Sequence, residues 1–513
     1  MSIKQLAGQT VFYGISNIVS KFLNLLLTPF YLLVLMDTVS FGAMSSVYAY
    51  LTFINVLLTY GMETTFFRFA KQGQEKAVLS ASMISLIVSS TLAFLLFMLL
   101  RTPAINSPQG VMAGLAGHPN YYTYIVLVLV LDAITAIPYA QLRLEGRPIR
   151  YAIIRIANIL TTVFFNVFFL WIGPKLYASG LHFMPHPRTG SDQLGFIYLA
   201  NLMGSGMTLL LFLPQILQIS WKINWPLWKQ LLRYSLPLVI FGLAGMVNET
   251  LDRAWFLPTY LDMPLHQKQE ALSIYSANYK MAIFITMFIQ AFKMGAEPFF
   301  FKQAEGQNPQ KVYARIMKLF VVLLCVMFLF VSLFLNIWKI FLVKNTFYQQ
   351  GLFIVPVLLL ANVFLGIYYN LTIWFKITDR TRAGAGITIV TALLAWAFNA
   401  WWIPRFGYFG AALATMVCYF IQMVICYVLG QKYYPVPYHL PRILTYILSA
   451  VAVYYVFSFL TSHLLSPGAP YALTPATLAA GLLFFFGYLW LVLKMEKKEF
   501  VKLPFVGKYV YKL

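Results

Sequence analysis

The sequence predicts an all-α, polytopic membrane protein. Three observations predict it. Of 513 residues, 60% are apolar and only 10% are charged. The mean hydropathy is +0.74. Apolar stretches of the roughly 20 residues needed to cross a bilayer recur along the whole chain, parted by short polar or Pro/Gly breaks. Together these exclude an ordinary soluble globular domain.

The pattern gives about fourteen spans. They fall near 9–36, 41–67, 78–100, 121–142, 151–173, 194–219, 234–261, 272–297, 312–338, 351–375, 384–403, 409–430, 442–464 and 473–493. The first follows "MSIKQLAGQT" and is too long, and too interrupted by Asn17, Lys21 and Asn24, for a cleaved signal peptide, so it is expected to stay. Between spans six and seven lies "KINWPLWKQLLRY" (222–234), a Trp/Lys-rich amphipathic stretch expected on the membrane surface. It divides the chain into an N-terminal lobe at 1–220, a linker at 221–233, a C-terminal lobe at 234–431, and a final segment at 432–513 holding the last two spans and a basic tail. Two lobes of about six helices each is the arrangement that rocks around a central site in transporters.

The formal charge of +22, from 37 Lys and Arg against 15 Asp and Glu, would suit nucleic acid. Its distribution says otherwise. An even number of spans puts both termini on one side, with Arg143, Arg147, Arg150, Arg155 and the tail from Lys494 to Lys512, while the other side is poor in bases. This is the positive-inside pattern, so both termini are expected in the cytoplasm, and the cations to meet membrane lipids and not DNA or RNA. Cys325, Cys418 and Cys426 all fall inside spans, which suits neither disulfides nor a metal site. No Walker A loop, HExxH, GxSxG or CxxC is present. With no aqueous loop beyond about 20 residues, no catalytic residue and no cofactor is expected.

What remains is polar residues inside the spans. A charge in lipid costs about 2.5–3.5 kcal/mol on insertion scales, so embedded charges turn to the bundle interior or to water. In span one, Asn17, Lys21, Asn24 and Thr28 follow helical spacing on one face. Thr52, Asn55, Thr59 and Glu63 repeat this in span two, and Asp132, Thr135 and Tyr139 in span four. Span seven carries "NETLDRAWF" (248–256), where Asn248 with Asp252 and Glu249 with Arg253 form two rows, and span eight adds Lys280. Glu249 and Arg253 could simply be an internal ion pair holding helices together. Lys21 has no acid within a turn of its own helix and calls for an outside anion or a wet cavity. Lys21, Arg253 and Lys280, with Asn17 and Asn24, therefore form a candidate cationic chamber for phosphate or pyrophosphate. Glu63, Asp132, Glu249 and Asp252 are candidates for a coupling cation or proton.

The stretch "FNAWWIPRFGYFGAALATMVCY" (398–419) resembles a pattern of the polysaccharide flippases of the multidrug/oligosaccharidyl-lipid/polysaccharide exporter (MOP) superfamily. "YGMETTFFRFA" (60–70), "YSLPLVIFGLAGMVNETLDRAWF" (234–256), "IYSANYKMAIFITMFIQAFKMGAEPFFFK" (274–302) and "KITDRT" (376–381) extend the resemblance. It implies an O-antigen or capsule-type flippase of the inner membrane that carries an undecaprenyl-diphosphate-linked glycan to the outer leaflet by alternating access. Polysaccharide polymerase and glycosyltransferases would be its partners. It also implies a lipid-tail groove at spans thirteen and fourteen. A sodium site in some relatives would map to Asp252 or Glu249, Asn399 and Thr415. Asn399 stands where those relatives carry an acid, so sodium and proton both stay open.

Four other readings compete. A lipid II flippase or a cation-coupled multidrug exporter belongs to the same superfamily. A membrane glycan polymerase or ligase would need a larger outer domain with acidic, Arg or His residues, and a noncatalytic scaffold would use buried charge only for packing.

Overall fold

The computed structural model describes residues 3–35, 37–70, 75–102, 118–180, 190–304, 308–378, 380–467 and 471–497, with the side chains of 3–17, 190, 191, 258, 294, 295, 297, 298, 301, 302 and 304 outside that description. Every long element among them is a helix. Thirteen are long and apolar enough to cross a membrane, and a shorter apolar stretch, Ile18–Val34, lies in the first helix. The helical, multi-pass architecture expected from hydropathy is the one found.

By contact, the described chain forms two compact units: Met1–Ala277 with Gln290–Gly295 and Ala385–Cys418, and Asn278–Ile289 with Ala296–Gly384 and Tyr419–Leu513. The first contains α1 (Ile3–Val34), α2 (Ser40–Thr59), α3 (Met62–Ala70), α4 (Glu75–Leu99), α5 (Pro119–Leu144), α6 (Pro148–Val167), α7 (Leu194–Leu217) and α8 (Trp225–Leu251). Within it α6 packs on α7 and α1, α5 on α7 and α4, and α2 on α8. Lipid offers helices no hydrophobic reason to associate, so close backbone approach and hydrogen bonds must hold them. At Gly204 of α7, a Cβ would stand 2.2 Å from Thr162 Oγ1 of α6, so only glycine allows this contact. Asn158 Nδ2 of α6 donates to Thr208 Oγ1 of α7 at 2.8 Å.

The second span is broken. Tyr60 (φ 32) and Gly61 (φ 69) enter the left-handed region between α2 and α3, where glycine is favoured. A Cβ on Gly61 would lie 2.7 Å from Leu238 Cβ of α8. The break is fixed by Tyr60 Oη and Ser85 Oγ, 2.7 Å apart, and by Trp228 Nε1, which donates to the same hydroxyl at 2.9 Å. Around it Met62, Phe66, Phe212 and Leu231 are fully buried.

Helix α8 starts inside the expected linker. Asn224 caps it by accepting from the Leu227 amide at 3.2 Å, and Pro226 sits in its first turn, where the missing N–H costs nothing. Residues 225–233 are thus its opening turns, with Leu227 and Leu231 turned inward and Trp221, Trp225 and Lys229 exposed.

The second unit is organised by α10 (Pro309–Ser332). The remaining labelled helices are α9 (Leu265–Ala304), α11 (Leu335–Leu342), α12 (Val355–Leu371), α13 (Thr381–Phe406), α14 (Tyr408–Tyr433), α15 (Leu440–Leu460) and α16 (Pro475–Met495). Helices α9, α13 and α14 each contribute residues to both units. Helix α10 packs on α12, α15 and α16. A reciprocal cap starts α16, with the Thr474 hydroxyl and the Thr477 hydroxyl each accepting from the other's backbone N–H.

Candidate functional site

The charged side chains of the first unit gather by helix packing. Asp132 of α5 accepts from Ser205 Oγ of α7 at 2.8 Å. The Arg155 guanidinium of α6 lies 5.5 Å from the centre of the Tyr139 ring of α5 and acts electrostatically on Asp132 and on Lys21. Lys21 comes within the field of Arg155 and Glu249 because α1 packs along α6. Glu249 of α8 feels Arg253, Lys21 and Lys293. Lys21, Asp132, Arg155 and Glu249 are all exposed. Exposed charges on membrane-spanning helices face water or a polar ligand far more readily than acyl chains. Charges of both signs act on one another here.

The two polar rows of span seven are rearranged. At Asp252–Phe256 the helix widens into a π turn, a feature common at functional sites that shifts the i,i+4 spacing. The Arg253 guanidinium donates to the Glu249 backbone carbonyl, and its Nε lies 3.4 Å from Asp252 Oδ1. Asp252 is buried and also accepts from the Arg253 amide at 2.8 Å and from the Tyr275 hydroxyl. Asn248 turns to α13, donating to Thr391 Oγ1 and the Thr388 carbonyl at 3.2 Å each.

The other expected residues fall as follows. Asn24 is exposed on α1, and the side chain of Asn17 lies outside the described residues. Glu63 is paired with Arg143 Nη2 at 2.8 Å. Asn399 is buried and donates to the Ala395 carbonyl at 2.7 Å, while its Oδ1 has no partner among the described residues. Thr415 donates to the Ala411 carbonyl at 3.0 Å. Lys280 belongs to the second unit, Lys21 and Arg253 to the first. Among the described residues no cluster of His, Cys, Asp and Glu could hold a metal.

Two residues were missed by the sequence reading. Arg155 counts among the cytoplasmic bases, yet it sits about two turns inside α6. Lys293 lies inside span eight, where hydropathy alone gives it no role. The signal for Arg155 was present: in α6, Arg155, Asn158 and Thr162 follow the same three- and four-residue spacing as the stripes of spans one and two.

This assembly, helical throughout the described long elements with charges embedded in several spans, is a polytopic membrane-protein fold. Solved structures share this fold. The lipid II flippase MurJ in an inward closed conformation aligns with a TM-score of 0.63 at 13% identity, over 94% of this chain and 98% of MurJ. An outward-facing multidrug resistance MATE family transporter of the MOP superfamily aligns at 0.59 and 11% identity, over 86% of this chain and 96% of that one. A MATE transporter of Vibrio cholerae aligns at 0.56 and 13%, over 84% and 96%. These neighbours are transporters and flippases, not enzymes. No protein-family profile and no curated sequence matches the chain.

Proposed function

We propose that the protein is a flippase that moves an undecaprenyl-diphosphate-linked oligosaccharide from the cytoplasmic to the outer leaflet of the bacterial inner membrane. Its two lobes, 1–220 and 234–431, would alternate access to one cavity, with both termini cytoplasmic. The observation that carries the reading is the set of exposed, mutually interacting charges Lys21, Arg155, Asp132 and Glu249, bordered by Arg253 and Lys293. Cations outnumber acids in it, so a diphosphate is the passenger group that balances the charge through charge-assisted hydrogen bonds. Asp132, held by Ser205 beside Arg155, is the acid best placed to exchange a coupling proton or cation, because passenger and acid would compete for one guanidinium.

Similarity to the lipid II flippase over 94% of the chain, against 84% and 86% for the two MATE structures, supports a lipid-linked passenger. The MATE likeness itself favours a second reading, a cation-coupled multidrug exporter.

The test is reconstitution in liposomes with lipid-linked oligosaccharide, following its exposure in the far leaflet. Lys21→Ala and Arg253→Ala should each abolish most transport at normal protein levels. Undiminished transport in both removes the cationic chamber. Efflux of organic cations without lipid-linked glycan movement would replace the flippase by the exporter.

A further inference from the structure

Where α15 gives way to α16, the second unit holds a partly open polar cavity of about 310 Å³. Ser332 at the end of α10, Asn336 of α11, Tyr454 and Ser458 of α15, Thr461 just beyond it and Thr477 of α16 supply its polar lining, and no lining residue is charged.

Two of these groups are buried without a partner. Ser332 is 3% exposed, and its Oγ has no hydrogen bond among the described residues. Asn336 is 5% exposed; its Nδ2 donates to Thr477 Oγ1 at 3.3 Å, while its Oδ1 has no partner among the described residues. Thr461 Oγ1 donates to the carbonyls of Phe457 and Ser458 at 3.0 Å each. Its one proton is thereby used, and only its capacity to accept remains. Thr461 also opens a π turn, Thr461–Leu465, a feature common at functional sites.

We infer that this cavity is a hydration site, in which ordered water donates to Asn336 Oδ1, bonds the Ser332 hydroxyl and donates to Thr461 Oγ1. The chemistry of the lining selects this guest. An anion would find no cation there, and an acyl chain would leave both buried polar atoms unmet. Water both donates and accepts, a buried water makes about 2–4 hydrogen bonds, and at about 30 Å³ each several fit the space. Held there, water bridges α10, α11 and the end of α15 through bonds these elements do not make directly. It also closes this end of the α15–α16 pair to an acyl chain.

X-ray radiolytic labelling of the full chain in lipid nanodiscs, read by mass spectrometry, tests this, because hydroxyl radicals form from water where it is bound and oxidise the nearest side chains. Phe457 lines the cavity, whereas Phe320 of α10 lies about three turns from Ser332. Both are buried, at 7% and 3% exposed. Phe457 should nevertheless label several-fold faster than Phe320. Ser332→Ala/Asn336→Leu, which removes both unpaired atoms, should bring Phe457 down to the Phe320 rate while exposed Trp221 keeps its own. Should that variant not fold, Ser332→Ala alone should lower the Phe457 rate. Equal rates for Phe457 and Phe320 in the wild type mean a dry cavity and overturn the inference. So does fast Phe457 labelling that survives loss of the polar atoms, since bulk solvent would then reach it unaided.

Discussion

The two units treat embedded charge in opposite ways. In the first, Lys21, Asp132, Arg155 and Glu249 are exposed, and their interactions extend over four helices without closing into tight pairs among the described residues. In the second, Lys318 and Glu496 are buried and joined at 2.6 Å. A charge packed against its partner has already met its electrostatic needs and serves tertiary structure. A charge left exposed on a spanning helix has not, and its need is available to a passenger. On the proposed function, the contrast separates charges that hold the fold from charges that meet the passenger. Sequence alone shows both merely as Lys and Glu among apolar residues.

The largest effect should come from breaking the buried pair. Lys318→Met leaves a buried carboxylate short of its main cation and should cost about 3–5 kcal/mol, read as a large fall in melting temperature, while Lys318→Met/Glu496→Met should recover most of it. A single variant as stable as wild type would erase the contrast between the units. Next, Gly61→Val forces a branched side chain to adopt positive φ against Leu238 and should cost about 1–3 kcal/mol, seen as reduced yield and lower melting temperature. In the first unit the sign of the comparison reverses: Arg155→Ala should leave the melting temperature nearly unchanged and cut lipid-linked glycan transport by about tenfold or more, roughly 1.4 kcal/mol of lost passenger or transition-state binding. The smallest effect is expected at Ser205→Ala, which removes one hydrogen bond to Asp132 worth about 1 kcal/mol and should slow transport a few-fold. If Arg155→Ala lowered stability as much as Lys318→Met, the first unit's charges would be structural too.

Much of the fold was legible because bilayer thickness fixes how long an apolar run must be, and runs of that length survive any detail of packing. The polar stripes of α1 and α5 were legible for a related reason: helical spacing alone puts Lys21 and Asn24, or Asp132 and Thr135, on one face. Reading failed where spacing stopped being regular or where a partner came from far along the chain. The π turn at 252–256 sent Arg253 to the Glu249 carbonyl and to Asp252, not to the Glu249 carboxylate, and nothing in "NETLDRAWF" announces an extra residue per turn. Glu63 looked like a free acid until α3 brought it to Arg143, eighty positions on. Glu496 looked like part of a solvated basic tail, because the three groups that bury it lie on α10 and α15.

On the proposed function the first unit's charges open onto water and not onto lipid, and cysteine accessibility measures this most directly. Cys325, Cys418 and Cys426 are all buried, so native background should be low. Lys21→Cys and Asp132→Cys should react in membranes with a charged, membrane-impermeant thiol reagent, and a short-chain prenyl diphosphate should protect both. Inertness of both positions from either side of the membrane, with a loop cysteine in the same preparation labelling normally, would contradict it.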